Sequence, residues 1–200
     1  MKYTVTIKNN LNRENYSFED PNADLIIEGN LRYRSPLFIS SDGITIAAKN
    51  VTINGEIDCT RIRIVAESIL VNNTVHSDEA IELTSKGCLD LNAEITSRYS
   101  NISLKGKQII FREDIHCNGY SYISADKMLL LGDIKSFPNI QFCPNNYIIK
   151  VGSLPIIGYG NSHYFPEKEL TDIEKIKDAL VDDFNIQEPE LSEILDKCKS

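Results

Sequence analysis

Three carboxylates of this 200-residue chain, Glu94, Asp114 and Asp133, recur about every 20 residues, and His116 and Lys135 follow two positions after the last two. If each recurrence is one turn of a stacked structure, the acids form a ladder rising about 4.8 Å per step, the spacing of paired strands. Two carboxylates about 5 Å apart are the separation of a retaining glycosidase pair, and an acidic ladder can also hold a cation. The weaker demand on the same residues is that a corner position is polar and wet, with His116 and Lys135 offsetting the acids. That use is the commoner one, because polar columns recur in any stacked repeat.

Cysteine chemistry offers less. The five cysteines, Cys59, Cys88, Cys117, Cys143 and Cys198, include no CxxC pair. They read as reduced thiols in a cytosol-like compartment, with no disulfide framework and no zinc or other metal site. Cys59 and Cys117 fall in one column with Ser77, Ser97 and Ser136. They lie three turns apart, about 14 Å by strand spacing, which is too far for a disulfide. His116 and Cys117 are neighbours, but neighbours in a strand point to opposite faces, so they cannot act as a nucleophile pair. His163 reads as a surface residue of a loop.

The elements that would position these groups follow from one repeated unit. A β-branched or aliphatic residue, a short polar corner and a single aliphatic residue recur as IEGNL (Ile27 to Leu31), INGEI (Ile53 to Ile57) and VNNTV (Val71 to Val75). The series continues as LNAEI (Leu91 to Ile95), FREDI (Phe111 to Ile115) and LGDI (Leu131 to Ile134). Only the first step is long, its surplus falling around RYRSPLFISSDG. Each unit follows a strand such as ITI from Ile44, IRI from Ile62 or IEL from Ile81. Alternation is strict: Ile44, Ile46, Val51, Ile53 and Ile57 point one way and Thr45, Thr52, Asn54 and Glu56 the other. Period two is the strand signature, and no hairpin turn signals separate the strands. The sequence therefore predicts an all-β fold, a right-handed parallel β-helix of about six coils of ~20 residues.

The GEI-D, AEI-T and GDI-K corners, each followed by a short strand, resemble the repeats of filamentous-haemagglutinin-type exoproteins. Bactofilins, which polymerise end to end, are similar in the same GxI corners. Both resemblances imply the solenoid fold. The chain departs from the exoproteins in having only 10 glycines. It also opens on MKYTVTIKNN, which lacks the apolar stretch of a signal peptide.

A solenoid needs its ends covered. Tyr3, Val5 and Ile7 alternate with Thr4 and Thr6, which predicts a cap strand within residues 1–23, with the β-helix over 24–151. A connector follows at 152–165 and acidic helices at 166–200. A capping box from Thr171 to Glu174 opens the first helix, whose apolar face is Ile173, Ile176, Leu180, Val181 and Phe184. Leu191, Ile194, Leu195 and Cys198 share a face of the second, which is expected to be detached from the coil. Residues 166–200 hold 11 of the 29 acidic and 5 of the 21 basic residues, so the body is nearly neutral and the tail acidic. Glu188, Glu190 and Glu193 before a basic terminus resemble the C-terminal signal of effectors exported by the Dot/Icm type IV machinery.

No clustered Lys/Arg face offers itself to phosphate backbones, and no apolar run reaches the ~20 residues of a membrane span. The expectation is a cytoplasmic, non-enzymatic scaffold without cofactor, a monomer or small oligomer that binds a protein partner and is delivered to a host cell if the tail is an export signal. One alternative is a carbohydrate-active β-helix enzyme, a lyase or hydrolase working through Glu94, Asp114 and Asp133. A bactofilin-like polymer is the other.

Overall fold

Alternating apolar residues bury one side of each strand, and the strands close into coils. A computed structural model describes residues 3–12, 16–33, 43–136, 139–151 and 166–198. One coil serves for all: Ile81–Ser85 forms the first face, Cys88–Leu91 the second and Ile95–Ser97 the third. Its inward residues Ile81, Leu83, Leu89, Leu91 and Ile95 are all buried. Each strand pairs in parallel with its copy one coil away, so Ile44, Ile62, Ile81 and Ile102 stand in one column. The column then continues through Ser121 to Ile140. The first two faces merge into a 10-stranded sheet, and the third is a separate 7-stranded sheet with one strand per turn. The fold is the parallel β-helix that the repeat predicts, with about seven turns in place of the six expected.

The corner between second and third faces explains the polar part of the unit. The amide of each first corner residue donates to the last carbonyl of the preceding coil's second strand: Asn54 to Ile27 at 2.7 Å, Asn72 to Ile53 at 2.8 Å, Asn92 to Val71 at 2.8 Å. The side chains repeat the pattern. Asn54 Nδ2 donates to Glu28 Oε1 at 2.9 Å, Asn72 Nδ2 to Asn54 Oδ1 at 2.9 Å and Asn92 Nδ2 to Asn72 Oδ1 at 2.8 Å. Gly55 follows because a Cβ there would lie 2.2 Å from the carbonyl oxygen of Gly29.

Both ends differ from the sequence expectation. Strand β1 (Tyr3–Ile7) is not a cap laid over the coil. It pairs in parallel with the end of β3 (Tyr16–Ile27), from Tyr3 opposite Ala23 to Ile7 opposite Ile27. β2 (Leu11–Asn12) likewise pairs with Leu31 and Arg32. Coil pairing thus already includes β1 and β2, and Ile7 to Leu11, IKNNL, is one more copy of the corner unit. Residues 152–165 and residues 34–42 of the long first step lie outside the described residues, as does His163.

The helices α1 (Ile173–Asp182) and α2 (Glu190–Cys198) pack on the outside of the second face, not over the end of the stack. Outward Ile110, Leu129 and Ile149 meet Ile176, Ala179, Leu180, Phe184, Leu191 and Ile194 in one buried cluster. The tail is therefore attached, correcting the detached helix expected above: Leu191 and Ile194 are only 8% and 3% exposed. The N-cap of α1 is Asp172, which accepts from the amides of Glu174 at 3.0 Å and Lys175 at 3.2 Å. Thr171 lies one residue too early to reach them, and Val181, 42% exposed, is off the buried face. No described helix is long and apolar enough to cross a membrane.

Two outcomes follow. Removing residues 188–200 uncovers Ile110, Leu129 and Ile149 in part and should lower the melting temperature clearly, by the several kcal/mol that two or three buried aliphatic side chains contribute; an unchanged thermal melt would detach the tail from the fold. Ser121 is 1% exposed, and its hydroxyl has no hydrogen-bond partner in a column that from Ile44 to Ile140 is otherwise isoleucine. Ser121→Ala removes that buried hydroxyl and should raise stability by about 1 kcal/mol in chemical denaturation.

Candidate functional site

The coil register brings the acidic residues together as the repeat predicts. Thr96, His116 and Lys135 pair across adjacent coils of the third face, and Glu94, Asp114 and Asp133 occupy the corner position just before that face. His116 Nε2 lies 4.0 Å from Glu94 Oε1 and 3.9 Å from Asp114 Oδ2, and Lys135 Nζ is 3.2 Å from Asp114 Oδ2. Thr96 Oγ1 donates to Glu94 Oε1 at 2.7 Å.

The bonding of Asp114 identifies its role. Its Oδ1 accepts the backbone N–H of Asp133 at 2.9 Å, while Oδ2 takes the Lys135 ammonium. The amide of Asp133 is the main cause that holds its carboxyl below the usual range; slight burial opposes this, and Lys135 and His116 reinforce it. A general acid for glycoside cleavage needs the opposite shift. The same corner position is filled earlier in the chain by asparagines. Asn10 Oδ1 accepts from the amide of Asn30 at 2.9 Å, and Asn30 Oδ1 from that of Glu56 at 2.9 Å. Asp114 thus repeats a coil-to-coil stitch that a neutral amide makes elsewhere.

The ladder is open to solvent. The Glu94 and Lys135 side chains are 51% and 57% exposed. Cavities of about 240, 330 and 290 Å³ lie at Asn10 and Arg32, at Tyr147 and Asp178, and at Cys88 and Lys107, all away from it. Among the described residues no group of three or more His, Cys, Asp or Glu is placed to hold a metal ion.

The cysteine column is structural. Cys59, Ser77, Ser97 and Cys117 pair coil to coil and point inward. Ser77 Oγ donates to Thr60 O at 2.7 Å and Cys117 Sγ to Ser100 O at 3.2 Å, so small polar side chains satisfy the carbonyls of the third corner. His116 faces outward while Cys117 is 2% exposed, which separates the two neighbours as strand geometry requires.

Two groupings escaped the sequence reading. On the second face a charged clamp holds the helices. Arg112 bonds both Asp90, at 3.3 Å, and Glu190 of α2, while Lys127, Tyr147 and the Gln108 amide converge on Asp183 at the end of α1. Burial raises Asp90 above the usual carboxylate range against the pull of Arg112, and burial pushes the Cys88 thiol up to about 11. Desolvation also acts to raise Asp183, but the hydrogen bonds from Lys127 and Tyr147 outweigh it and hold the carboxyl low. The signal for this surface was present: IIF at Ile109 to Phe111 and MLLL from Met128 break the alternation, as strands buried on both sides do.

The other grouping is the corner between third and first faces. Tyr99 and Tyr120, 60% and 59% exposed, stand there on successive coils. The Arg98 guanidinium lies 5.0 Å from the Tyr99 ring centroid. Their backbone is fixed: the amide of Tyr99 donates to Asp78 O at 3.0 Å, that of Tyr120 to Asn101 Oδ1 at 2.8 Å, and Asn118 Nδ2 to Arg98 O at 3.0 Å.

Asp114→Asn keeps the stitch and should leave thermal stability unchanged, whereas Asp114→Leu should cost up to about 1 kcal/mol; equal losses in both would make the charge, not the acceptor, the operative feature. Acid should loosen the tail. The carboxyl of Asp183 is lower in the folded chain than the unfolded value of about 3.9, so its contribution is present above that value and fades as pH falls through the folded one. Protection of the helix amides, measured relative to their intrinsic exchange at each pH, should fall below about pH 4, and Asp183→Asn should flatten that dependence.

No family model, no curated protein and no solved structure matches this chain.

Proposed function

We propose that the chain is a non-enzymatic, protein-binding solenoid whose docking surface is the corner of Arg98, Tyr99 and Tyr120. One observation carries the reading: two large aromatic side chains are held in the open by a backbone that is itself hydrogen-bonded. Tyrosine and arginine are the residue types that concentrate binding energy at protein interfaces, and a fixed backbone lowers the entropy lost on docking. The Arg98 guanidinium over the Tyr99 ring adds a cation–π contact to the corner.

The carbohydrate-enzyme alternative draws little support from Asp114, whose oxygens are engaged and whose carboxyl is held low. Delivery through a type IV machinery, implied by the resemblance of the tail, requires α2 to leave the second face first. Glu190 is paired with Arg112, and Glu188 accepts from Ser192 Oγ at 2.7 Å, so these glutamates also have roles in the folded chain.

Capture from candidate host and bacterial lysates tests the reading. The pair Tyr99→Ala and Tyr120→Ala, both at exposed positions, should keep the melting temperature and lose the captured protein, with a drop in affinity of at least tenfold. Retention of the same partner at full affinity would remove the corner as the docking surface.

A further inference from the structure

The two ends of the solenoid are not alike. At the C-terminal end the inward residues of the last coil are covered: Ile140, Phe142 and Ile148 are 5%, 1% and 0% exposed. One point of the edge there is also taken: Ile148 bridges in parallel to Glu169 and its carbonyl accepts from Leu170 N at 2.8 Å. At the N-terminal end Val5, Ile7, Leu11, Tyr16 and Phe18 are only partly buried. Their partners one coil further in, Leu25, Ile27, Leu31, Ile44 and Ile46, are at most 1% exposed. One more layer of strands would complete the burial. β1 has a strand on one side only among the described residues, so its other side presents backbone donors and acceptors suited to another strand.

We propose that this end pairs with the same end of a second copy, through antiparallel contact of β1 with β1 across a two-fold axis at Val5. The strand YTVTI reads alike in both directions: an apolar centre, a threonine on each side, then Tyr3 and Ile7. Centred on Val5, the antiparallel register sets Val5 opposite Val5, Thr4 opposite Thr6, and Tyr3 opposite Ile7. The inward residues of both chains then meet in one continuous core and the threonines pair on the outside. Edge strands that avoid pairing carry charges or proline, and β1 carries neither. A two-fold contact is closed, so it makes a pair and not a filament. The tyrosine corner lies coils away, so this contact stands or falls independently of the proposed function.

Sedimentation equilibrium of the full chain over a wide concentration range is the test. The expected mass approaches twice 22.6 kDa at high micromolar concentration. Thr4→Lys with Thr6→Lys places like charges opposite each other on exposed positions and should yield a monomer with an unchanged melting temperature. Thr4→Lys with Thr6→Glu sets each lysine opposite a glutamate of the second copy and should restore the dimer, which also reads out the antiparallel register. A wild-type chain that stays monomeric, a species that grows without limit, or a dimer that survives the double lysine variant would each overturn the proposal.

Discussion

Each coil of this chain hydrogen-bonds to the previous one through residues that hold the same place in the repeat. That in-register parallel stacking sets every other feature. Because the rise is one strand spacing, a residue meets its own counterpart above and below, so a position must tolerate its own chemistry stacked on itself. Isoleucine, leucine and valine satisfy this inside, where β-branched shapes interlock in a narrow core. Asparagine satisfies it at the corner, because one amide carries both a donor and an acceptor and can chain along the axis from Asn54 to Asn92.

Carboxylates do not chain in this way, since two acceptors repel. Where acids fill a column, something else must enter. Asp114 takes a backbone N–H and a lysine, and Glu94 takes the Thr96 hydroxyl with His116 nearby. Asp114 is thus a variation on the stitch made by Asn10 and Asn30, with Lys135 at the oxygen that stands where an amide nitrogen would. In space, two members of that ladder, Asp114 and Glu94, are corner groups with hydrogen bonds of their own, and the Glu94 side chain is half exposed.

The second face shows the same register used for a different end. Its outward column is mixed through Thr52, Leu70 and Asp90 and becomes wholly apolar at Ile110, Leu129 and Ile149. The helices lie where that column is apolar, and Arg112 and Lys127 tie them down at its margin. Short helices of 9 and 10 residues would not persist alone in water. Their order comes from this apolar strip, and the strip in turn is kept from solvent by them.

The sequence alone determined the coil: period two within strands, a unit of about 20 residues, and which residues share a column, including Glu94 with Asp114 and His116 with Lys135. It did so because stacking is a local rule repeated, so spacing in the chain maps directly onto distance along the axis. The same rule contained the first coil, in IKNNL, but a two-residue strand at Leu11 is too short to show a period by itself. Tertiary structure decided what spacing cannot encode. Whether an acid is spent or available depends on which N–H and ammonium reach it, and for Asp114 those come from another coil. Where α2 rests depends on which apolar face it meets: its Leu191 and Ile194 would suit the end of the stack as well as its side, and the outward Ile110, Leu129 and Ile149 settle the choice because they form an apolar strip on the second face.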